Sequence, residues 1–237
     1  MDGIIKRTIF GQIVDKAKAE PTNSETRSKY INYFLEGARS EAYRMSRATN
    51  RMLITDIAYA ILPTFLSPFR KKIKDSISNN AAVAFSSAKS MYDNVNRFLQ
   101  ANYLPEEEIH RKDQRINESE KDFTSAVGDE FNLKKIVQLR ESGSLDYCLE
   151  DLNCLNDMTQ SVVAPIRNAT EHGHSHAIVE SVPIKGIPEC GEGFKLTNLL
   201  SKALPSHSIS GLAFLVSGES MYRTHRIIEG SLRQASI

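Results

Sequence analysis

The chain has no tryptophan and only three cysteines, Cys148, Cys154 and Cys190, none of them in a CxxC pair. So sparse and odd-numbered a set excludes a disulfide framework and a cysteine-built zinc site, and a reducing compartment, the cytoplasm, is the expected setting. An excess of charge is missing as well. The 30 Lys and Arg against 29 Asp and Glu leave a formal net charge of +1. A global pull on nucleic acid or membrane is thereby excluded, and any polyanion site must come from local clusters of cations. Long apolar runs are absent too. The most apolar region, Met52 to Phe69, is broken by Asp56, Pro63 and Pro68, short of the roughly 20 apolar residues that a span requires; no membrane partner is expected. The first 20 residues mix Ile with Lys, Arg and Asp, unlike the continuous apolar block of a signal peptide.

Several enzyme classes lose their signatures in the same way. There is no P-loop, no dinucleotide fingerprint and no GxSxG. Val216-Ser217-Gly218-Glu219-Ser220 lacks the glycine before the serine and the strand-to-helix elbow that the nucleophile needs. No cofactor is expected. Internal repeats and low-complexity tracts are also absent.

What is present is a helical pattern. Hydrophobic residues make up 41% of the chain, enough for an ordinary core. Tyr30, Phe34, Ala38, Ala42, Met45, Ala48, Met52 and Tyr59 recur at three- and four-residue steps, which predicts one long helix over 25–62. After Pro63 a second helix is predicted from Ser67, with Pro68 in the tolerant first turn. Its stripe is Phe69, Ile73, Ile77, Ala81, Phe85, Ala88, Tyr92, Val95 and Leu99. Two such helices joined by a short turn make an antiparallel hairpin. Tyr30, Tyr33, Phe34 and Tyr59 read as core or interface aromatics.

Residues 105–122 are rich in charge and poor in apolar residues, and read as a solvated loop or linker. A shorter helix is predicted over 132–141, closed by Gly143. Ser144 is the expected N-cap of the next, whose stripe is Leu145, Leu149, Leu152, Leu155, Met158 and Val162. Ala164-Pro165 must kink or restart that helix, which then runs to Gly173. Beyond Ala177 the period is lost. A short strand is expected around Ile178, Val179 and Val182, then two short helices near 195–203 and 221–234. The expected class is all-α: a helical bundle over 25–180, preceded by an N-terminal segment (1–24) and followed by a mixed C-terminal extension (181–237).

The stretch best suited to chemistry is Arg167-Asn168-Ala169-Thr170-Glu171-His172. Arg167 and His172 are five residues apart, which on a helix is about 7.5 Å along the axis and about 140° around it. They diverge and can line two sides of a groove. A guanidinium offers a fixed fork of donors to a phosphate. An imidazole exchanges protons near neutral pH. Asn168 can orient either partner. These types suit attack of an RNA 2′-hydroxyl on its neighbouring phosphate, which calls for a base and for donors to the developing charge. Glu171 is a candidate to orient the histidine, or an ordinary helix charge paired with Arg167. His174 also satisfies the spacing; His172 is favoured because Gly173 should end the helix. His172, His174 and His176 alternate in a way that can suit zinc, but the glycine and the lack of a nearby cysteine favour solvated side chains, and no metal site is expected.

This stretch resembles the R-x4-6-H motif of the HEPN family, whose ribonuclease members often carry a polar residue directly after the arginine. The flanking Val162, Val163 and Ile166 and the glycine after the histidine are similar too. The resemblance covers about 25–180 as a helix pattern and six residues as a motif. It implies a dimerising helical bundle that cuts RNA without metal, two copies of the motif meeting in the dimer cleft, Arg167, Asn168 and His172 being catalytic. It also implies a toxin–antitoxin or anti-phage setting, with an antitoxin or regulatory protein as partner. Pro165 and the tail after Ala177 depart from the pattern. Two basic clusters, Arg44, Arg47 and Arg51 on one helix face and Arg70, Lys71 and Lys72 on the next helix, are candidate RNA contacts. The competing expectation is a non-catalytic helical module that binds a protein or nucleotide through its arginine face.

Overall fold

The computed structural model describes residues 9–19, 24–171, 179–182, 193–196 and 206–235. They are mostly helical: α1 (Ile9–Ala19), α2 (Glu25–Ile61), α3 (Ser67–Tyr103), α4 (Glu106–Glu118), α5 (Phe123–Glu130), α6 (Lys134–Glu141), a 3₁₀ turn (Asp146–Cys148), α7 (Leu149–Met158), a π turn (Thr159–Val163), α8 (Ala164–Glu171) and α9 (Ser206–Ala235). Two short strands, β1 (Val179–Val182) and β2 (Gly193–Leu196), pair antiparallel with Val179 opposite Leu196. The all-α class holds. Among the described residues no helix is long and apolar enough to cross a membrane.

The chain divides into two compact units. The first comprises Met1–Arg39, Met91–Leu152 and Thr224–Ile237. Its core is built on Tyr30 and Phe34 of α2, whose rings lie 4.9 and 5.1 Å from that of Phe131. Here α2 and α3 run antiparallel. Arg27 reaches past its own helix to the end of α3, donating to the carbonyls of Ala101 (2.8 Å), Asn102 (2.9 Å) and Leu104 (2.7 Å) and to Glu106 Oε2 (2.9 Å). The last turn of any helix leaves carbonyls without partners, and Arg27 supplies them from a neighbouring element. Gly37 of α2 faces Asn94 of α3, so closely that an added Cβ would stand 2.8 Å from the Asn94 Oδ1.

The loop expected over 105–122 is a helix over most of its length. Helix α4 carries Glu106, Glu107 and Glu108 in its first turn and Arg115 in its last, the order the helix dipole favours. Its buried residues are Ile109, Lys112 and Ile116, one narrow stripe at steps of three and four. Lys112 lays its stem along that stripe and donates to the Glu130 carbonyl at 2.5 Å, with its ammonium over the Phe131 ring. Burial pushes the Lys112 ammonium below its ordinary pKa, against the opposing pull of Glu130 and Glu108. Helix α5 is capped by Asp122, whose carboxylate accepts from the Ser125 N–H at 3.0 Å.

Gly143 closes α6 as expected, with φ at 74°. The Ser144 N–H reaches back to the Leu139 carbonyl and the Gly143 N–H to that of Arg140, a Schellman closure that a left-handed glycine allows. Ser144 is not the N-cap of the following helix. Its hydroxyl pairs with that of Ser142 at 2.9 Å, and the chain enters a 3₁₀ turn through Leu145, which makes no side-chain cap.

The second unit comprises Ser40–Ser90 and Asn153–Arg223. Thr49 of α2 donates to the Met45 carbonyl (2.9 Å) and is 2.7 Å from the hydroxyl of Ser217 on α9. Both residues are buried. The helix expected near 221–234 is part of α9, which runs unbroken over 30 residues. Of the helix expected near 195–203, Lys195 and Leu196 lie in β2 and the rest lies outside the described residues.

Candidate functional site

The expected break at Ala164-Pro165 is a π turn. The Ala164 N–H bonds the Thr159 carbonyl, five residues back. Proline has no N–H for the carbonyl four residues before it and its ring crowds that carbonyl. One extra residue in the preceding turn relieves both. Thr159, Val162 and Val163 of this turn are buried, as is Ile166. The restart leaves Arg167 half-buried and Asn168 exposed. Glu171 ends α8; its side chain, with His172, His174 and His176, lies outside the described residues. The guanidinium and amide of the motif therefore belong to the described residues, and its imidazole does not.

The cation clusters stand in the second unit. Arg44, Arg47 and Arg51 share an exposed face of α2. Arg44 also pairs with Glu41 at 3.0 Å. Arg70 lies 4.5 Å from the Tyr59 ring centroid, a cation–π contact, and so is half-buried. Lys71 and Lys72 are exposed, and so is Lys74. These cations occupy the first two turns of α3, which have no acid in the first turn. Of these, Arg70 lies in the first turn, where the helix dipole disfavours positive charge.

The same face of α2 continues past Arg51 as Ile54, Ile57 and Ile61. The six residues fall within an arc of about 140°, and all are exposed. Sequence reasoning followed the opposite face, Met45, Met52 and Tyr59, and missed this one. It also expected Phe69 inside, where the structure leaves it exposed. The signal was available in the phase of the three arginines, which predicts solvent for every residue three or four steps on.

Two other groups, Cys148 and Ser217, are unsuited to chemistry. Burial pushes the Cys148 thiol up to about 11, far from a reactive thiolate. Ser217 sits inside against Thr49. Among the described residues no group of three or more His, Cys, Asp or Glu stands together as a metal site would require. Comparison with family models, curated proteins and solved structures finds no match for this chain.

Proposed function

We propose that the chain is a metal-independent endoribonuclease of the HEPN kind, acting as a homodimer in a toxin–antitoxin or anti-phage setting. The observation that supports it is the last segment of α8, where Arg167 and Asn168 follow the π turn half-buried and exposed, at the head of the RNATEH stretch. In this reading His172, or His174, takes the proton of an RNA 2′-hydroxyl. The O2′–P bond forms, the P–O5′ bond breaks, and the 5′-oxygen leaves with a proton. Arg167 bears the charge that grows on the phosphate oxygens, and Asn168 holds the geometry. Arg44, Arg47 and Arg51 guide the backbone of the strand.

The deciding experiment is cleavage of labelled RNA in the presence of a chelator, comparing the native chain with Arg167→Ala and His172→Ala. The proposal expects a 2′,3′-cyclic phosphate product from the native chain and little from either variant. Equal product from all three, or none from the native chain over varied RNAs, removes it. The alternative, a non-catalytic binding module, is favoured by a separate observation: the exposed apolar end of the α2–α3 hairpin.

A further inference from the structure

We propose that the turn end of the α2–α3 hairpin docks on an anionic lipid surface. The inference goes beyond the nuclease reading, with which it shares Arg44, Arg47 and Arg51, and rests on three features of the second unit.

The first is the apolar tip. Ile54, Ile57 and Ile61 line one face of the last turns of α2, and Phe65 and Phe69 follow across the turn. Exposure rises toward the end, to 76% at Ile61 and 80% at Phe65. Single exposed apolar residues are commonplace on protein surfaces, but five gathered at one end mark a contact. From Ile54 to Ile61 the helix advances about 10 Å. That matches the depth of about 5–10 Å to which peripheral apolar elements enter the headgroup and acyl boundary.

The second is the charge around the tip. Residues 51–75 hold Arg51, Arg70, Lys71, Lys72 and Lys74 against two acids, Asp56 and Asp75. Four of these cations crowd into the first two turns of α3, whose first turn holds no acid, and Arg70, in that first turn, stands where the helix dipole disfavours it. An anionic surface outside the protein would gain from each.

The third is the order along α2. Its exposed face runs Arg44, Arg47, Arg51 and then Ile54, Ile57, Ile61. Cations behind an apolar tip is the sequence of layers that headgroups and acyl chains present.

A second copy fits less well, because a symmetric contact through this end would bring the same cations together. RNA fits less well, because isoleucine neither stacks on a base nor bonds its edges. The proposal departs from the expectation of no membrane partner, which rested on the broken apolar run and on a net charge of +1; neither bears on a local cluster of cations beside an exposed apolar tip.

Co-sedimentation of the full chain with vesicles tests this. Vesicles of phosphatidylcholine alone are compared with vesicles containing one third phosphatidylserine, for the native chain and for Ile61→Ser/Phe65→Ser. Both substituted side chains are exposed, so unchanged circular dichroism is expected of the variant. The native chain should pellet with the anionic vesicles. Its affinity should fall about tenfold or more on neutral vesicles, in the variant, and in high salt. No binding of the native chain to anionic vesicles overturns the proposal, as does equal binding by the variant. Two patterns without vesicle binding also overturn it and name the occupant: self-association abolished by the variant points to a second copy, and capture of labelled RNA abolished by the variant points to RNA.

Discussion

The phenol of Tyr30 donates a 2.6 Å hydrogen bond to Oδ1 of Asp113, joining the core of α2 to the outer face of α4. Lys29 reaches the same oxygen at 2.8 Å. Burial lifts the Tyr30 phenol above its ordinary pKa, and the Asp113 bond lifts it further. For Asp113 burial pushes upward, but the bonds from Lys29 and Tyr30 outweigh it, and the carboxyl lies below its usual range. A charge-assisted bond of this kind contributes about 1.5–3 kcal/mol.

Tyr30→Phe should therefore lower stability by about 1.5 kcal/mol near neutral pH, with the ring packing on Phe131 kept. The pH dependence has a definite sign. A depressed carboxyl stabilises the fold fully above its unfolded pKa, about 3.9, and the contribution is lost as pH falls through the lower folded value. The difference between native chain and variant should be largest near pH 7 and should shrink at about pH 3. Urea titrations at the two pH values check it; an equal difference at both would show that Asp113 does not carry the effect.

Arg27 makes a sharper case, because its side chain is 13% exposed and four acceptors depend on it. Removing the guanidinium leaves the Ala101, Asn102 and Leu104 carbonyls unpaired at the end of α3. Arg27→Met should cost about 3 kcal/mol. Arg27→Lys should recover little of this, since one ammonium cannot serve a planar fork of acceptors. Urea midpoints of the three proteins decide it, and a lysine variant as stable as the native chain would contradict the geometry.

These two residues also show which parts of the fold can be read from the sequence. The stripe of Tyr30, Phe34, Ala38 and Met45 is apolar, so its period declares the helix and its inner face. Arg27 sits on the same stripe three residues before Tyr30, but a charge there reads as the stripe's end. Helix α4 fails for the same reason. Its inner face is Ile109, Lys112, Ile116, and with a lysine in the middle too few apolar residues remain to show a period. Helix α9 hides its period differently. Ser210, Ala213, Ser217, Ser220, Thr224, Ile227 and Ser231 are buried at helical steps, but most are small and polar, so the stripe is invisible on any hydrophobic scale. For the candidate site, Pro165 announced a break, and only the backbone shows that the break is a π turn followed by a restart at Ala164.

Glycines in two helices should respond in opposite directions to alanine. Nothing lies within 4 Å of a Cβ added at Gly218, an exposed position of α9. Gly218→Ala should stabilise by about 0.5–1 kcal/mol through helix propensity alone. Gly37→Ala carries the same gain, but its Cβ meets the Asn94 amide at 2.8 Å, and the net effect should be a loss of about 1 kcal/mol. In an Asn94→Ala background the clash is gone and Gly37→Ala should no longer destabilise. A thermodynamic cycle over the four proteins measures that coupling, and additivity would refute it.

The last prediction separates charge from geometry at Arg167. The side chain is half-buried at the end of α8, so urea midpoints of Arg167→Lys and Arg167→Ala are measured first, to separate any loss of stability from a loss of activity. Their effects on RNA cleavage should differ from each other. If Arg167 holds a phosphate through its fork of donors, Arg167→Ala should lower the single-turnover rate about 10³-fold and Arg167→Lys about 10²-fold. If the residue merely adds positive potential, lysine should restore the rate to within about threefold of native, because a point charge serves that role as well. The salt dependence of the rate distinguishes the same two cases. A bidentate contact at a partly desolvated phosphate is screened weakly, whereas long-range attraction from Arg167 would fade over the roughly 10 Å screening length of 0.1 M salt. A lysine variant that cuts at the native rate would leave the RNATEH resemblance without its central chemical argument, whatever activity the chain retained.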